Sequence, residues 1–141
     1  MLRLPLTKTD THFFYELFMD EDLLRSKGLQ PENVELASLL GMTLRIGERA
    51  ALVPDAAGRV HGVVMTLTLD ELERLYSDPG VQAYRPQAVL VQPRSGGFLA
   101  ALCYNLPDPP APGARNPEYA EKLRVVGKKV GLPREYVAAI K

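Results

Sequence analysis

The stretch Thr43 to Val91 constrains the chain most, because it holds a strand, a turn, a strand, a short helix and a further strand with almost no spare residues. Leu44-Arg45-Ile46 and Ala51-Leu52-Val53 read as extended. Pro54-Asp55-Ala56-Ala57-Gly58 carries turn chemistry, and Val60 to Leu67 is a β-branched and apolar run bounded by it. The period then changes. Thr68 followed by Glu71 is a capping box, and Leu69, Leu72, Leu75 and Tyr76 share one side of a two-turn helix that ends near Ser77-Asp78-Pro79-Gly80. Pro79 cannot continue a helix, and Gly80 is expected to supply the backbone angles of a tight turn before a strand begins near Tyr84.

Upstream, Thr11 to Phe18 is aromatic-rich enough for a first strand, buried on both faces over part of its length. Asp20-Glu21-Asp22 places negative charge on the first turn of a short helix ending at Lys27-Gly28. Leu29 to Glu35 reads as an irregular link, and Leu36 to Met42 as extended. Downstream, Ala88 to Val91 and Phe98 to Tyr104 are strands joined through Arg94-Ser95-Gly96-Gly97, which predicts an antiparallel pair. The proline-rich run 107–115 reads as an extended surface connector. Asn116 is a good N-cap with Pro117 at the first helical position, and Tyr119, Leu123, Val126 and Val130 form one apolar face. Pro133 to Ile140 starts a last short helix, with Tyr136, Val137 and Ile140 facing inward. These elements predict an α+β fold: a small mixed, barrel-like sheet of about six strands with short helices packed outside.

With 141 residues, the chain is expected to form one domain over positions 1–141. Lysine plus arginine and aspartate plus glutamate both total 17, so no global field draws the protein toward nucleic acid or an anionic membrane. Cys103 is the one cysteine, and cysteine and histidine pairs of the kind a structural zinc site needs are missing. No apolar run approaches roughly 18 residues, and Met1 to Asp10 lacks a signal peptide's apolar core, so a cytoplasmic location is the natural reading.

The order of pieces then becomes informative. Leu40-Gly41-Met42-Thr43-Leu44-Arg45-Ile46, Ala51-Leu52-Val53-Pro54, Gly58 to Val64, Leu69 to Leu75, Gly80, Tyr84-Arg85, Val89-Leu90-Val91 and Tyr104 together resemble the gamma-glutamylcyclotransferase-like superfamily. Asn116-Pro117-Glu118-Tyr119, Gly127, Gly131-Leu132-Pro133 and Tyr136-Val137 are similar to its closing helices, so the resemblance covers nearly the whole chain. It implies a barrel with a pocket at one mouth. The floor is a loop after the first strand, which reads Tyr-Gly-Ser-Asn or Tyr-Gly-Thr-Leu in active members and holds a γ-glutamyl group with its backbone amides. A glutamate just before a glycine, after the mid-sheet helix, is the acid/base. The substrate's α-amine closes onto its own γ-carbonyl to give 5-oxoproline, so the resemblance implies no enzyme nucleophile, metal or cofactor, and a γ-glutamyl amide or amine as the partner.

The sequence departs from that pattern at both critical points. The loop reads Tyr15-Glu16-Leu17-Phe18-Met19, with Glu16 in place of the glycine and Leu17 in place of the serine or threonine. Pro79 takes the glutamate's position, and proline moves no proton. Two carboxylates are candidates to replace it. Glu16 either reaches the pocket from the opposite wall or points to solvent; Asp78 either turns into the pocket or initiates its turn by bonding its own backbone. By the same resemblance Tyr15, Leu17, Phe18, Tyr84 and Tyr104 are candidate ligand-binding residues, with half-buried packing as the alternative for the tyrosines. Arg85 suggests a surface contact or a carboxylate site. His12 and His61 lie on strands without an evident partner, read as satisfied or exposed, and Cys103 reads as a buried, inert thiol. Two functions remain: a pocket that binds a γ-glutamyl-like compound without the standard catalysis, or a cyclotransferase or amine-transfer enzyme with a displaced carboxylate.

Overall fold

The computed structural model describes residues 9–141; the reading of the first eight positions lies outside them. Five strands close into a barrel in the order β1-β3-β2-β4-β5. They are β1 (Thr9–Phe14), β2 (Glu32–Ile46), β3 (Ala50–Thr68), β4 (Arg85–Pro93) and β5 (Leu99–Asn105). Neighbours run antiparallel except at the seam, where His12 of β1 pairs with Leu102 of β5 in parallel. The sheet is therefore mixed. Helices α1 (Glu21–Ser26), α2 (Leu69–Leu75), α3 (Pro117–Val130) and α4 (Arg134–Ala139) accompany it. Among the described residues, no helix is long and apolar enough to cross a membrane.

The count is five rather than six because two expected breaks are continuous strand. Pro54 to Gly58 does not reverse the chain. The β2–β3 register jumps from Leu40↔Arg59 to Met42↔Pro54, so residues 55–58 form an excursion opposite Gly41. Gly41 accepts the bend at φ 85°, a left-handed conformation that a side chain would resist. Likewise the expected link Leu29 to Glu35 enters β2 at Glu32, and its irregularity survives as a register shift between Glu32 and Glu35.

The first strand is shorter than the aromatic run suggests. It stops at Phe14, and Leu17–Met19 forms a 3-10 turn that leads into α1. Asp20 fixes the start of α1, its side chain accepting from the Asp22 amide at 3.1 Å, so the chain must bend before it. His12, Phe13, Phe14 and Tyr15 are all buried, as a strand covered on both faces requires. The capping box at Thr68 and Glu71 and the Asn116 cap of α3 both form as the sequence predicts. The core joins β1 and β3 to α2 and α3 through Phe13, Met65, Leu67, Leu72 and Leu123.

Candidate active site

The turn after β1 presents two side chains to the barrel interior. Tyr15 donates its hydroxyl toward the Tyr104 carbonyl at 3.1 Å and Asn105 Oδ1 at 3.3 Å, which pins the turn to the end of β5. Glu16 follows with φ −122° and ψ −158°, an extended conformation that any residue adopts. Replacing a glycine here brings no backbone strain; it brings a side chain, and that side chain turns inward.

Glu16 is 2 % exposed. Its Oε2 accepts from the Tyr119 hydroxyl at 3.5 Å, and its Oε1 has no hydrogen-bond partner among the described residues. Burial pushes the carboxyl up from 4.5 to about 7, against the opposing pull of the Phe18 amide, the Arg49 guanidinium and the Tyr119 hydroxyl. The same charge is felt all around it. Burial first raises the hydroxyls of Tyr15, Tyr76, Tyr84 and Tyr119 and lifts the Cys103 thiol to about 12, and the Glu16 carboxylate adds to each. A carboxyl has thus been placed among four tyrosines from the β1 turn, α2, the approach to β4, and α3.

Arg49 belongs to the short turn between β2 and β3. Its guanidinium lies against Gly80: a Cβ there would meet Arg49 Nη2 in collision, with Cζ at 3.2 Å and Nε at 3.5 Å. Gly80 is not among the glycines with positive φ, so the expected backbone reason for it gives way to a steric one. Beside this contact opens a cavity of about 380 Å³, lined by Glu48, Arg49, Pro79, Gly80, Tyr84 and Asp108, with Leu106 and Pro110 completing its wall. Arg45 holds this part of the proline-rich run by donating to the Pro110 carbonyl at 3.2 Å. Tyr84 donates to the Ala50 carbonyl, which ties the cavity wall to the first residue of β3.

The structure brings Tyr15, Glu16, Phe18, Tyr84 and Tyr104 into one neighbourhood. Phe18 meets Tyr76 edge-on with centroids 5.5 Å apart, and Tyr76 stacks on Tyr104 at 3.9 Å with an 8° tilt. Leu17 is half-buried against the core. Asp78 stands apart: its side chain is 61 % exposed, 3.7 Å from the Lys27 ammonium, and its carbonyl accepts from the Val81 amide as part of the turn. Arg85 caps the carbonyls of Gln82 and Tyr84 on the surface. His12 is 1 % exposed, with Nδ1 3.3 Å from the Asp10 carbonyl and Nε2 without a partner among the described residues, and burial lowers its pKa. His61 packs edge-on against Tyr136 with centroids 4.9 Å apart, and burial lowers it too.

Sequence reasoning misses Arg49, Tyr76, Tyr119 and Asn105 as parts of this neighbourhood. Asn105 is the most connected, accepting from the amides of Leu52 and Leu106 at 2.9 Å and donating to the Leu52 carbonyl at 3.0 Å. Tyr119 is visible in the sequence only as part of a helical apolar face. Among the described residues, no group of three or more histidine, cysteine, aspartate or glutamate side chains is arranged to hold a metal ion.

No family model matches the sequence, and no curated protein does. Solved structures do match the fold. An uncharacterized protein from Homo sapiens superposes with TM-score 0.75 at 22 % identity, over 94 % of this chain and 88 % of that one. A structure described as gamma-glutamyl cyclotransferase gives TM-score 0.76 at 21 % identity, over 95 % and 89 %. YkqA from Bacillus subtilis gives 0.74 at 23 %, over 93 % of this chain but 52 % of its own, so the chain spans about half of YkqA. The fold of this chain is the gamma-glutamylcyclotransferase-like one.

Proposed function

We propose that a chain with this fold uses the cavity at Arg49, Gly80 and Tyr84 to bind a small γ-glutamyl-like compound, without the family's standard acid/base. One observation carries the reading. Pro79, at the position where the resemblance calls for the proton-transferring glutamate, lines the cavity, while Asp78 next to it pairs with Lys27 outside. The cavity's size and its mixed charge, with Arg49 opposite Glu48 and Asp108, suit a compact zwitterion. The balanced totals of 17 basic and 17 acidic residues favour such a partner over nucleic acid or a membrane surface. The test is thermal stability of the purified protein against a panel of γ-glutamyl amides and amines. A ligand at about 100 times its dissociation constant adds about 2.7 kcal/mol. No shift with any compound would overturn the reading.

A second reading is favoured by Glu16. A carboxyl titrating near 7 is suited to take a proton and return it. In this reading Glu16, buried outside the cavity lining, takes up a proton released by the substrate's α-ammonium, and the freed amine forms the new C–N bond at the γ-carbonyl. The original γ-amide C–N bond breaks as the departing nitrogen takes the proton back from Glu16, the ring nitrogen's second proton passes by way of the freed Glu16 carboxylate to the departed amine, and 5-oxoproline and an ammonium product are released. Release of 5-oxoproline from the same panel, lost in Glu16→Gln, is the expected result. Release that persists unchanged in Glu16→Gln would remove Glu16 from the chemistry.

A further inference from the structure

Arg49 stands against Gly80 with no acid to pair with among the described residues. It is half-buried, its guanidinium lies on Gly80, and among the described residues it comes within 4.0 Å of no carboxylate oxygen. Arg49 lines the cavity that opens beside Gly80, and its guanidinium carries a fork of donors. Its charge also reaches inward, where it acts on Glu16, Tyr84 and Tyr119. A guanidinium next to a cavity and without a carboxylate partner among the described residues has the chemistry by which arginine binds carboxylates with two parallel hydrogen bonds. The buried Oε1 of Glu16 is likewise without a partner among the described residues.

We infer that Arg49 is the carboxylate-binding residue of this cavity, and that a ligand carboxylate seated on it is coupled to Glu16. The inference rests on the binding reading above and deepens it, since it requires the γ-glutamyl-like compound to carry a free α-carboxylate. The coupling follows from the charges that face Glu16. These are Arg49 from the β2–β3 turn, Tyr15 and the Phe18 amide from the turn after β1, Tyr76 from α2, Tyr84 ahead of β4, Cys103 from β5 and Tyr119 from α3. Arg49 is the one cation in that set. A bound carboxylate neutralises it, which removes a pull that favours ionised Glu16 and leaves burial to favour the acid form. Binding at pH 7 therefore takes up a fraction of a proton, and affinity falls as pH rises above about 7.

Calorimetry on the whole chain tests this with two probes: L-γ-glutamylmethylamide and the same compound with its α-carboxylate converted to a carboxamide. The expected wild-type preference for the acid is roughly ten-fold or more, the scale of a charge-assisted pair. Titration in two buffers of different ionisation enthalpy should show proton uptake. Arg49→Gln should lose the preference, Arg49→Lys should keep part of it, and Glu16→Gln should keep it but take up no proton. Equal binding of the two probes, or an undiminished preference in Arg49→Gln, overturns the inference and leaves the binding reading standing. Failure of both probes to bind the wild type overturns the two together. If Arg49→Gln melts below the wild type, Arg49→Lys decides, since it preserves the stem and changes only the fork.

Discussion

Glu71 and Glu16 stand at the starts of two short helical turns, and both are buried, yet the protein treats them in opposite ways. Glu71 is surrounded by donors. Its two oxygens accept from the Thr68 amide at 2.9 Å and the Gln30 amide at 2.6 Å, and its own amide donates to Thr68 Oγ1 at 3.1 Å. Burial alone would raise its pKa, but the Thr68 and Gln30 amides outweigh that and hold it below the usual carboxylate value. Glu16 has burial with weaker compensation: the pull of the Phe18 amide, one long contact to Tyr119, one oxygen without a partner among the described residues, and a pKa near 7. A fully bonded buried carboxylate is a joint, here tying α2 to the chain ahead of β2. A sparsely bonded one is a group held ready to change its charge.

The largest test of that contrast is Glu16→Gln. Because the folded pKa of about 7 lies above the unfolded 4.5, the native state is favoured at low pH and loses stability as pH rises through 7. The full difference corresponds to up to about 3 kcal/mol. Glu16→Gln carries no such penalty, so denaturant titrations should find it more stable than wild type at pH 8, with the advantage shrinking toward pH 5. An advantage that does not change with pH would show that Glu16 is not the titrating group.

Glu71→Ala should act in the reverse direction and less strongly. It leaves the Thr68 and Gln30 amides without their acceptor and removes the capping box, at about 2 kcal/mol. Its depressed pKa means that the stabilisation is present above the unfolded value and disappears as pH falls through the folded one. The gap between wild type and Glu71→Ala should therefore narrow in acid, where that for Glu16→Gln also closes, but with opposite sign at neutral pH. A gap constant down to strong acid would separate the cap from its charge.

The two glutamates also differ in how far their roles can be read from sequence. Thr68 and Glu71 sit at a spacing whose bonds are local, so the capping box is legible in the sequence itself. The same holds for Asn116-Pro117 and the Arg94 to Gly97 connection, where Gly96 donates to the Pro93 carbonyl at 3.0 Å. Glu16 can be flagged only as an intruder in a loop, because its direction depends on where the chain bends after Phe14. That bend is set by Asp20 and by Asn105, which Tyr15 reaches across 90 positions of sequence. Residues 54–58 mislead for a related reason. Proline, aspartate and glycine serve a bulge as well as a reversal, and the choice is made by pairing with Met42 across the sheet. Arg49 is silent because nothing local marks an arginine in a two-strand turn; its meaning comes from Gly80, which sequence alone explains by backbone angles.

Gly80→Ala gives the smallest effect on stability and the sharpest test of that last point. The residue is exposed and has no positive φ, so alanine adds no backbone strain. Its new methyl group meets only the far end of the Arg49 side chain, which can swing aside, and stability should stay within about 0.5 kcal/mol of wild type. The displaced guanidinium, however, would no longer act on Glu16 from the same place. Carboxyl titration followed by NMR should then place Glu16 higher in Gly80→Ala than in wild type, since a cation that favours its ionised form has moved away. An unchanged Glu16 titration would mean that the contact between Arg49 and Gly80 does not govern the field at the buried carboxyl, and that the two sides of the cavity work independently.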